Sequence, residues 1–209
     1  MNKLIWQLWK TLENHPFEKL LITLNILTFI HPIEQMIYFI RHAQSQYNLV
    51  EAQLAERLGP DYKQTQEYLT EKFSDKYLDV RITQLGVEQC FNAREEMKGI
   101  KLDLVLVSPM RRALQTCHII FEELEGKVPI VVEPAFREIM ESSNDIGSEI
   151  AESIQKYPHF DFSRVEDKDA WFVHTLQPAD RESILKTIQG LEGEERKTQC
   201  IKECIKVEK

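Results

Sequence analysis

The sequence predicts an α/β domain with a mostly parallel sheet covered on both sides, a three-layer α/β/α sandwich, and three observations carry that expectation. Short apolar runs without alternation recur at residues 36–40, 102–107 and 128–132, as strands buried on both faces require. Segments of helical period lie between these runs. Strands that alternate with helices at this spacing form βαβ units, whose helices pack onto the faces of a parallel sheet.

Each element has its own signal. The first apolar run, Met-Ile-Tyr-Phe-Ile, follows a proline and leads straight into Arg41 and His42. A helix is expected over 49–58, with Gly59 and Pro60 as its stop, and another over 85–97, with Gly99 behind it. The run at 102–107 ends in Ser-Pro-Met-Arg-Arg, and a third helix over 110–124 closes at Gly126. Beyond Glu133 the pattern turns irregular and polar, with helices expected over 148–156 and from Asp180 toward Gly190. Ligands collect at the carboxyl ends of strands in open α/β sheets. The first two runs therefore bring cationic residues to one edge of the sheet.

The amino-terminal 35 residues raise the question of a membrane. Apolar residues recur at helical spacing from Leu4 to Leu12, and a second apolar stretch spans 17–30, with Asn14 as its N-cap and His31-Pro32 as its stop. A helix of those 14 residues would be roughly 21 Å long against a hydrocarbon core of roughly 30 Å. It also carries Glu18, Lys19, Thr23, Asn25 and Thr28. Acidic Glu13 and Glu18, with no small-residue cleavage site after the apolar stretch, argue against a secretory signal. An amphipathic helical pair packed on the domain or on a partner is expected, and the compositional case for membrane contact is weak.

The composition narrows the function. Of 209 residues, 26 are basic and 34 acidic, for a net charge of -8, which disfavours nucleic acid as a partner. A few arginines can still hold one small phosphate. Cys90, Cys117, Cys200 and Cys204 show no CxxC spacing, which points to a reducing, cytoplasmic setting rather than a secreted disulfide scaffold. Cys200 and Cys204 have no histidine near them in sequence, so no metal site is expected.

Four motifs occur in order: Arg41-His42-Ala43-Gln44-Ser45-Gln46-Tyr47-Asn48, the stretch from Asp79 through Ile82-Thr83-Gln84-Leu85-Gly86, then Ser108-Pro109-Met110-Arg111-Arg112-Ala113-Leu114-Gln115-Thr116, and Arg137-Glu138. Together they resemble the histidine phosphatase superfamily, also called the phosphoglycerate mutase family. The continuation Asn144-Asp145-Ile146-Gly147-Ser148, with residues 160–163 and Trp171, looks most like the phosphoglycerate-mutase-like proteins of plants and fungi. The resemblance reaches to about residue 175. It implies a phosphoglycerate-mutase-like fold and three parts: a helical extension over 1–35, a catalytic domain over 36–175, and a divergent helix or tail over 176–209. The last 19 residues carry five acidic and five basic side chains and read as a solvated helix or tail, on which Cys200, Ile201, Cys204 and Ile205 would form a narrow apolar stripe.

The resemblance also implies roles, and the chemistry agrees with them. His42 matches the family nucleophile, and a neutral imidazole can attack phosphorus and carry the phosphoryl group. Arg41 and Arg112 match the two family arginines. Planar, permanently charged guanidinium groups suit the equatorial oxygens of a transferring phosphoryl group. Asn48 matches the motif asparagine, and Gln44 and Ser45 lie in the loop that would face the ligand. Thr83 fits a structural role as well as a functional one, and Arg111 is a surface residue or a substrate contact. Glu138 sits where many members place the general acid, with Glu141 and Asp145 as rivals. The expected activity is hydrolysis of a phosphate monoester, on a phosphorylated small molecule or phosphoprotein, without cofactor.

Two departures stand against that match. Position 43 is Ala where most members have Gly, and no Val-x-His-Gly follows Trp171 to supply the second pocket histidine. His174 is the late candidate, while His118 and His159 fit the order poorly. A truncated or mis-spliced form and a divergent member with an incomplete pocket both explain this. A phosphate-binding or interaction module of weak activity is therefore the alternative, and a phosphoglycerate mutase a further one. The mutase ranks lower because Leu49-Val50-Glu51-Ala52-Gln53 does not resemble the glycolytic continuation.

Overall fold

A computed structural model describes residues 36–166, 171–176, 178–191, 195, 198–200 and 202–204. The chain divides into two compact units, Met1–Arg41 and His42–Lys209. The paired helices expected over 1–35 lie outside the described residues, as does part of the segment after 190. In the first unit, residues 36–40 form no strand, and Met36, Ile37, Phe39 and Ile40 are exposed. The expected buried strand is thus corrected to chain without strand pairing. An apolar run supplies strand propensity, but a strand exists only where a neighbour takes its backbone hydrogen bonds.

The second unit is a parallel α/β domain, as its pattern of runs and helices predicts. It begins with α1 (Gln46–Leu58), three residues earlier than the apolar period suggests. Ser45 starts it through a capping box: the Ser45 hydroxyl accepts the Asn48 amide at 3.1 Å, and Asn48 Oδ1 accepts the Ser45 amide at 3.0 Å. A two-turn helix, α2 (Gln66–Lys72), follows with Thr65 as its N-cap. Then comes α3 (Gln84–Met97), capped by Thr83, whose hydroxyl accepts the Gly86 amide at 3.0 Å.

Three parallel strands follow: β1 (Val105–Val107), β2 (Ile130–Val132) and β3 (Phe160–Asp161), in the order β1-β2-β3. Val105 pairs with Ile130 and Val107 with Val132, while Ile130 also pairs with Phe160. The central β2 is buried at all three positions, whereas β1 buries Val105 and Val107 and leaves Leu106 exposed. Between β1 and β2 runs α4 (Arg111–Phe121), which buries Leu114, Cys117, Ile120 and Phe121 along one stripe against the core. α3 packs on α4. The crossover from β2 to β3 includes α5 (Ala151–Lys156), shorter than the helix expected over 148–156.

After β3, a 3-10 turn (Trp171–Thr175) and α6 (Pro178–Thr187) complete the described elements. Trp171, Phe172, Val173, Ile184 and Ile188 join the same core cluster, and so do Cys200 and Cys204. The segment expected as solvated therefore contributes apolar side chains to the interior. Cys200 and Cys204, two residues of the narrow apolar stripe expected there, are the ones that it buries.

Candidate active site

The loop after His42 is held by side chains from α3 and α4. The Ala43 amide donates to Thr116 Oγ1 at 3.0 Å, and the Gln44 amide donates to Gln89 Oε1 at 2.8 Å. Its outer edge pairs with the segment before α3: Thr83 N donates to Gln44 O and Gln46 N to Arg81 O, each at 2.9 Å, with an antiparallel bridge between Ser45 and Ile82. Gly86 is required here, because a Cβ at that position would lie 2.5 Å from Gln44 O. Thr83 Oγ1 also donates to Gln44 Oε1 at 2.7 Å. Thr83 thus caps one helix and orients a loop side chain, which favours its structural role.

His42 is half-buried, and its Nδ1 lies 2.7 Å from Ala43 O. A carbonyl oxygen can only accept, so the tautomer that makes this bond is the one protonated on Nδ1. Arg41 is exposed and ends the first unit. Ser45 is fully buried, with its hydroxyl in the helix cap, and Asn48 is half-buried with Oδ1 in that same cap.

Arg112 is 2% exposed at the start of α4. Its Nη1 donates to Asn144 O at 2.6 Å and its Nη2 to Asp145 Oδ1 at 2.9 Å. Glu138 Oε2 lies 3.6 Å from the same Nη2. The other oxygen of Asp145 accepts from Glu141 N, Ser142 N and Ser142 Oγ at 3.2, 3.1 and 2.9 Å. A buried ion pair survives desolvation only when its remaining donors and acceptors are satisfied, and Asp145 meets that condition. Of the three acids considered from sequence, Asp145 is therefore committed to structure and Glu141 is exposed. Glu138, with a side chain 32% exposed, lies loosely beside the arginine.

A single hydroxyl joins the histidine loop to this arginine. Thr116 Oγ1, which accepts from Ala43, donates to Arg112 O at 2.8 Å. Threonine on a helix commonly bonds the carbonyl four residues back, and here it gains a second partner 73 residues away in sequence. Thus the backbone next to His42 and the carbonyl of Arg112 meet on one hydroxyl, and Glu138 lies beside the Arg112 guanidinium. Sequence reasoning missed Thr116, although it sits inside the third motif at the spacing that permits this bond.

Asp79 was also missed as a connector. Almost fully buried, with a positive φ of 43°, it accepts Arg111 N at 2.8 Å through Oδ1. Through Oδ2 it accepts Ser148 N and Ser148 Oγ at 3.1 and 2.6 Å. Burial pushes its carboxyl above the usual aspartate range, against the opposing pull of those donors. Ser148 O in turn accepts Trp171 Nε1 at 2.9 Å, and a Cβ on Gly147 would come within 2.2 Å of the Trp171 ring. Arg111 turns away from Arg112: its Nη2 meets Glu152 Oε2 at 2.8 Å, and Arg81 takes the other oxygen of Glu152 at 2.7 Å.

The remaining histidines lie elsewhere. His118 Nδ1 is 2.5 Å from Glu125 Oε1, and its ring is 5.3 Å from that of Tyr157, whose phenol burial pushes up to about 12. His159 is exposed, and His174 lies in the 3-10 turn Trp171–Thr175. Among the described residues no group of three or more His, Cys, Asp and Glu is arranged to hold a metal ion. No described helix is long and apolar enough to cross a membrane.

The chain is 26% identical over 135 residues to a probable phosphatase of Schizosaccharomyces pombe, an alignment that covers 63% of this chain and 53% of that one. The chain thus spans about half the length of the curated relative it matches. Its fold is similar to that of the ecdysone phosphate phosphatase of Bombix mori, crystallised with tungstate, with a TM-score of 0.40 and 19% identity over 70% of this chain and 65% of the other. The sequence profile of one family matches residues 37–183, most of the chain and all four motifs, and on that ground the chain belongs to the histidine phosphatase superfamily, branch 1.

Proposed function

We propose that this protein hydrolyses a phosphate monoester through a phosphohistidine on His42. The observation that carries this reading is the Thr116 hydroxyl, which ties the amide of Ala43, the residue after His42, to the carbonyl of Arg112. The contact of Nδ1 with Ala43 O supports it further, since the tautomer that donates to a carbonyl through Nδ1 has its lone pair on Nε2. In the first step Nε2 forms a bond to phosphorus as the ester P–O bond breaks, and the leaving alkoxide takes a proton from Glu138. In the second step water attacks phosphorus, gives its proton to the Glu138 carboxylate, and releases inorganic phosphate as the P–N bond breaks. Phosphoryl transfer depends mainly on positioning and charge stabilisation, so Arg112, Arg41 and the Asn48 amide would hold the equatorial oxygens, with Gln44 and Ser45 shaping the loop. Substrates are phosphorylated small molecules or phosphoproteins. Residence in the cytoplasm belongs to the same proposal and rests on the cysteine spacing.

Rapid quench with an aryl phosphate tests the covalent step. Acid-labile phosphate is expected on the wild type and absent from His42→Ala. A wild type that turns over substrate without labelling would remove the phosphohistidine from the mechanism. One observation favours the second reading, a phosphate-binding module of weak activity: no Val-x-His-Gly follows Trp171 in this sequence to supply a second pocket histidine. Calorimetry with inorganic phosphate separates the two, since binding without turnover is the result that reading requires. A primer-dependent mutase would need a bisphosphorylated activator, so hydrolysis without one disposes of it.

A further inference from the structure

We propose that Asp145 is the positioning carboxylate of Arg112, fixing the plane of its guanidinium for the phosphoryl group while Glu138 keeps the proton-transfer role. The inference rests on the reading of Arg112 as the phosphate-binding arginine. A guanidinium offers five N–H donors in a planar fork. Two contacts pin that fork to adjacent residues of one loop, Nη1 on Asn144 O and Nη2 on Asp145 Oδ1. Two contacts fix the plane, and donors remain beyond those used.

Asp145 cannot act as a displaceable plug. Its second oxygen is held by the amides of Glu141 and Ser142 and by the Ser142 hydroxyl. Its own carbonyl accepts Arg137 Nη1 at 3.0 Å, and Ser142 and Asp145 form a reciprocal capping box. An incoming phosphate would have to break that whole set to eject the carboxylate. By contrast, Glu138 stands 3.6 Å from Nη2, and its side chain is 32% exposed against 7% for Asp145. The two carboxylates on one nitrogen thus divide the work: the buried one orients the cation, and the more exposed one faces the reacting oxygens.

Asp145→Asn and Ser142→Ala test this in the full chain. Kinetics on an aryl phosphate and calorimetric affinity for orthovanadate are measured for each, with urea melts to confirm folding. A misplaced cationic group costs on the order of 10²-fold in rate. Asp145→Asn is therefore expected to lower kcat and orthovanadate affinity by that order while KM stays near the wild-type value. Ser142→Ala, which keeps both charges and removes the hydroxyl that donates to the carboxylate and accepts from Asn144 Nδ2, should show a smaller fall in the same two quantities. A folded Asp145→Asn with unchanged or higher kcat overturns the proposal. If that variant does not fold, Ser142→Ala decides alone, and no change in its kcat has the same force. A wild type that binds no orthovanadate also refutes it, because Arg112 is then not presented to an anion. Failure of the phosphohistidine reading is seen separately, as activity retained in His42→Ala, and leaves the affinity comparison to judge Asp145.

Discussion

The Ala43 amide and the Thr116 hydroxyl meet at 3.0 Å across 73 residues of sequence. Because the Thr116 hydroxyl in turn donates to Arg112 O, the loop that carries His42 and the helix that carries Arg112 share one atom. Thr116→Val keeps the shape and removes that atom, leaving the Ala43 amide without its partner. Desolvation of an unpaired buried amide costs about 1–3 kcal/mol, so the urea midpoint is expected to fall with kcat. A variant with wild-type stability and kcat would show that the loop is held by other contacts.

Arg112→Ala is expected to be worse than the loss of a charge at the surface. The substitution removes the donor fork and strands Asp145, a carboxylate in a site almost closed to water. Breaking one partner of a buried pair costs about 3–5 kcal/mol, and kcat should fall by orders of magnitude with the lost charge stabilisation. Double substitution of Arg112 and Asp145 by Met and Leu should recover only part of the stability, since the Glu141 and Ser142 amides then lose their acceptor, and none of the activity. Differential scanning calorimetry and steady-state rates together check both halves.

Gly147→Ala addresses the wall of the site. The new Cβ would meet the Trp171 ring at 2.2 Å, and Trp171 is itself 1% exposed and held through Nε1 to Ser148 O. Overpacking of this kind costs about 1–3 kcal/mol or more. The melting temperature should drop, and quenching of tryptophan fluorescence by acrylamide should rise. Equal melting curves would mean that the loop relaxes at little cost.

Asp79 predicts a pH effect with a definite sign. Burial raises its carboxyl pKa in the folded state, so the folded protein binds the proton more tightly than the unfolded chain does. Stability from this group is fully present below the ordinary aspartate value and is lost as pH rises through the raised one. Asp79→Asn removes that dependence. It also turns amide N–H groups toward the Ser148 amide, a mismatch worth about 1–3 kcal/mol. The variant should be less stable, with the gap largest in acid and narrowing as pH rises. A gap independent of pH would rule out the burial effect on Asp79.

Much of this architecture is legible along the chain because it depends on local periodicity. α4 announces itself through Leu114, Cys117, Ile120 and Phe121 on one stripe, and β2 through an unbroken apolar run. β3 spans only Phe160–Asp161, too short to show any period, and α2 is two turns of mostly polar residues held by the Thr65 cap. Residues 36–40 fail in the opposite direction, since their apolar run names no pairing partner. At the site, His42, Arg112 and Glu138 stand in linear motifs. The contacts of Thr116, Asp79 and Asp145 join residues about 30 to 70 positions apart, and no spacing rule within one segment encodes such pairs.

The stretch from Asn144 to Ser148 also limits how the protein can be rebuilt. Asn144 and Asp145 hold Arg112, Gly147 admits Trp171, and Ser148 holds Asp79. These anchors follow one another at one- or two-residue intervals. Each inserted residue adds about 3.8 Å of chain, more than a hydrogen bond can span, so one insertion would throw several anchors out of phase together. Loop grafts meant to change substrate preference must therefore enter ahead of Ser142 or beyond Ser148, leaving the length of the segment between them untouched.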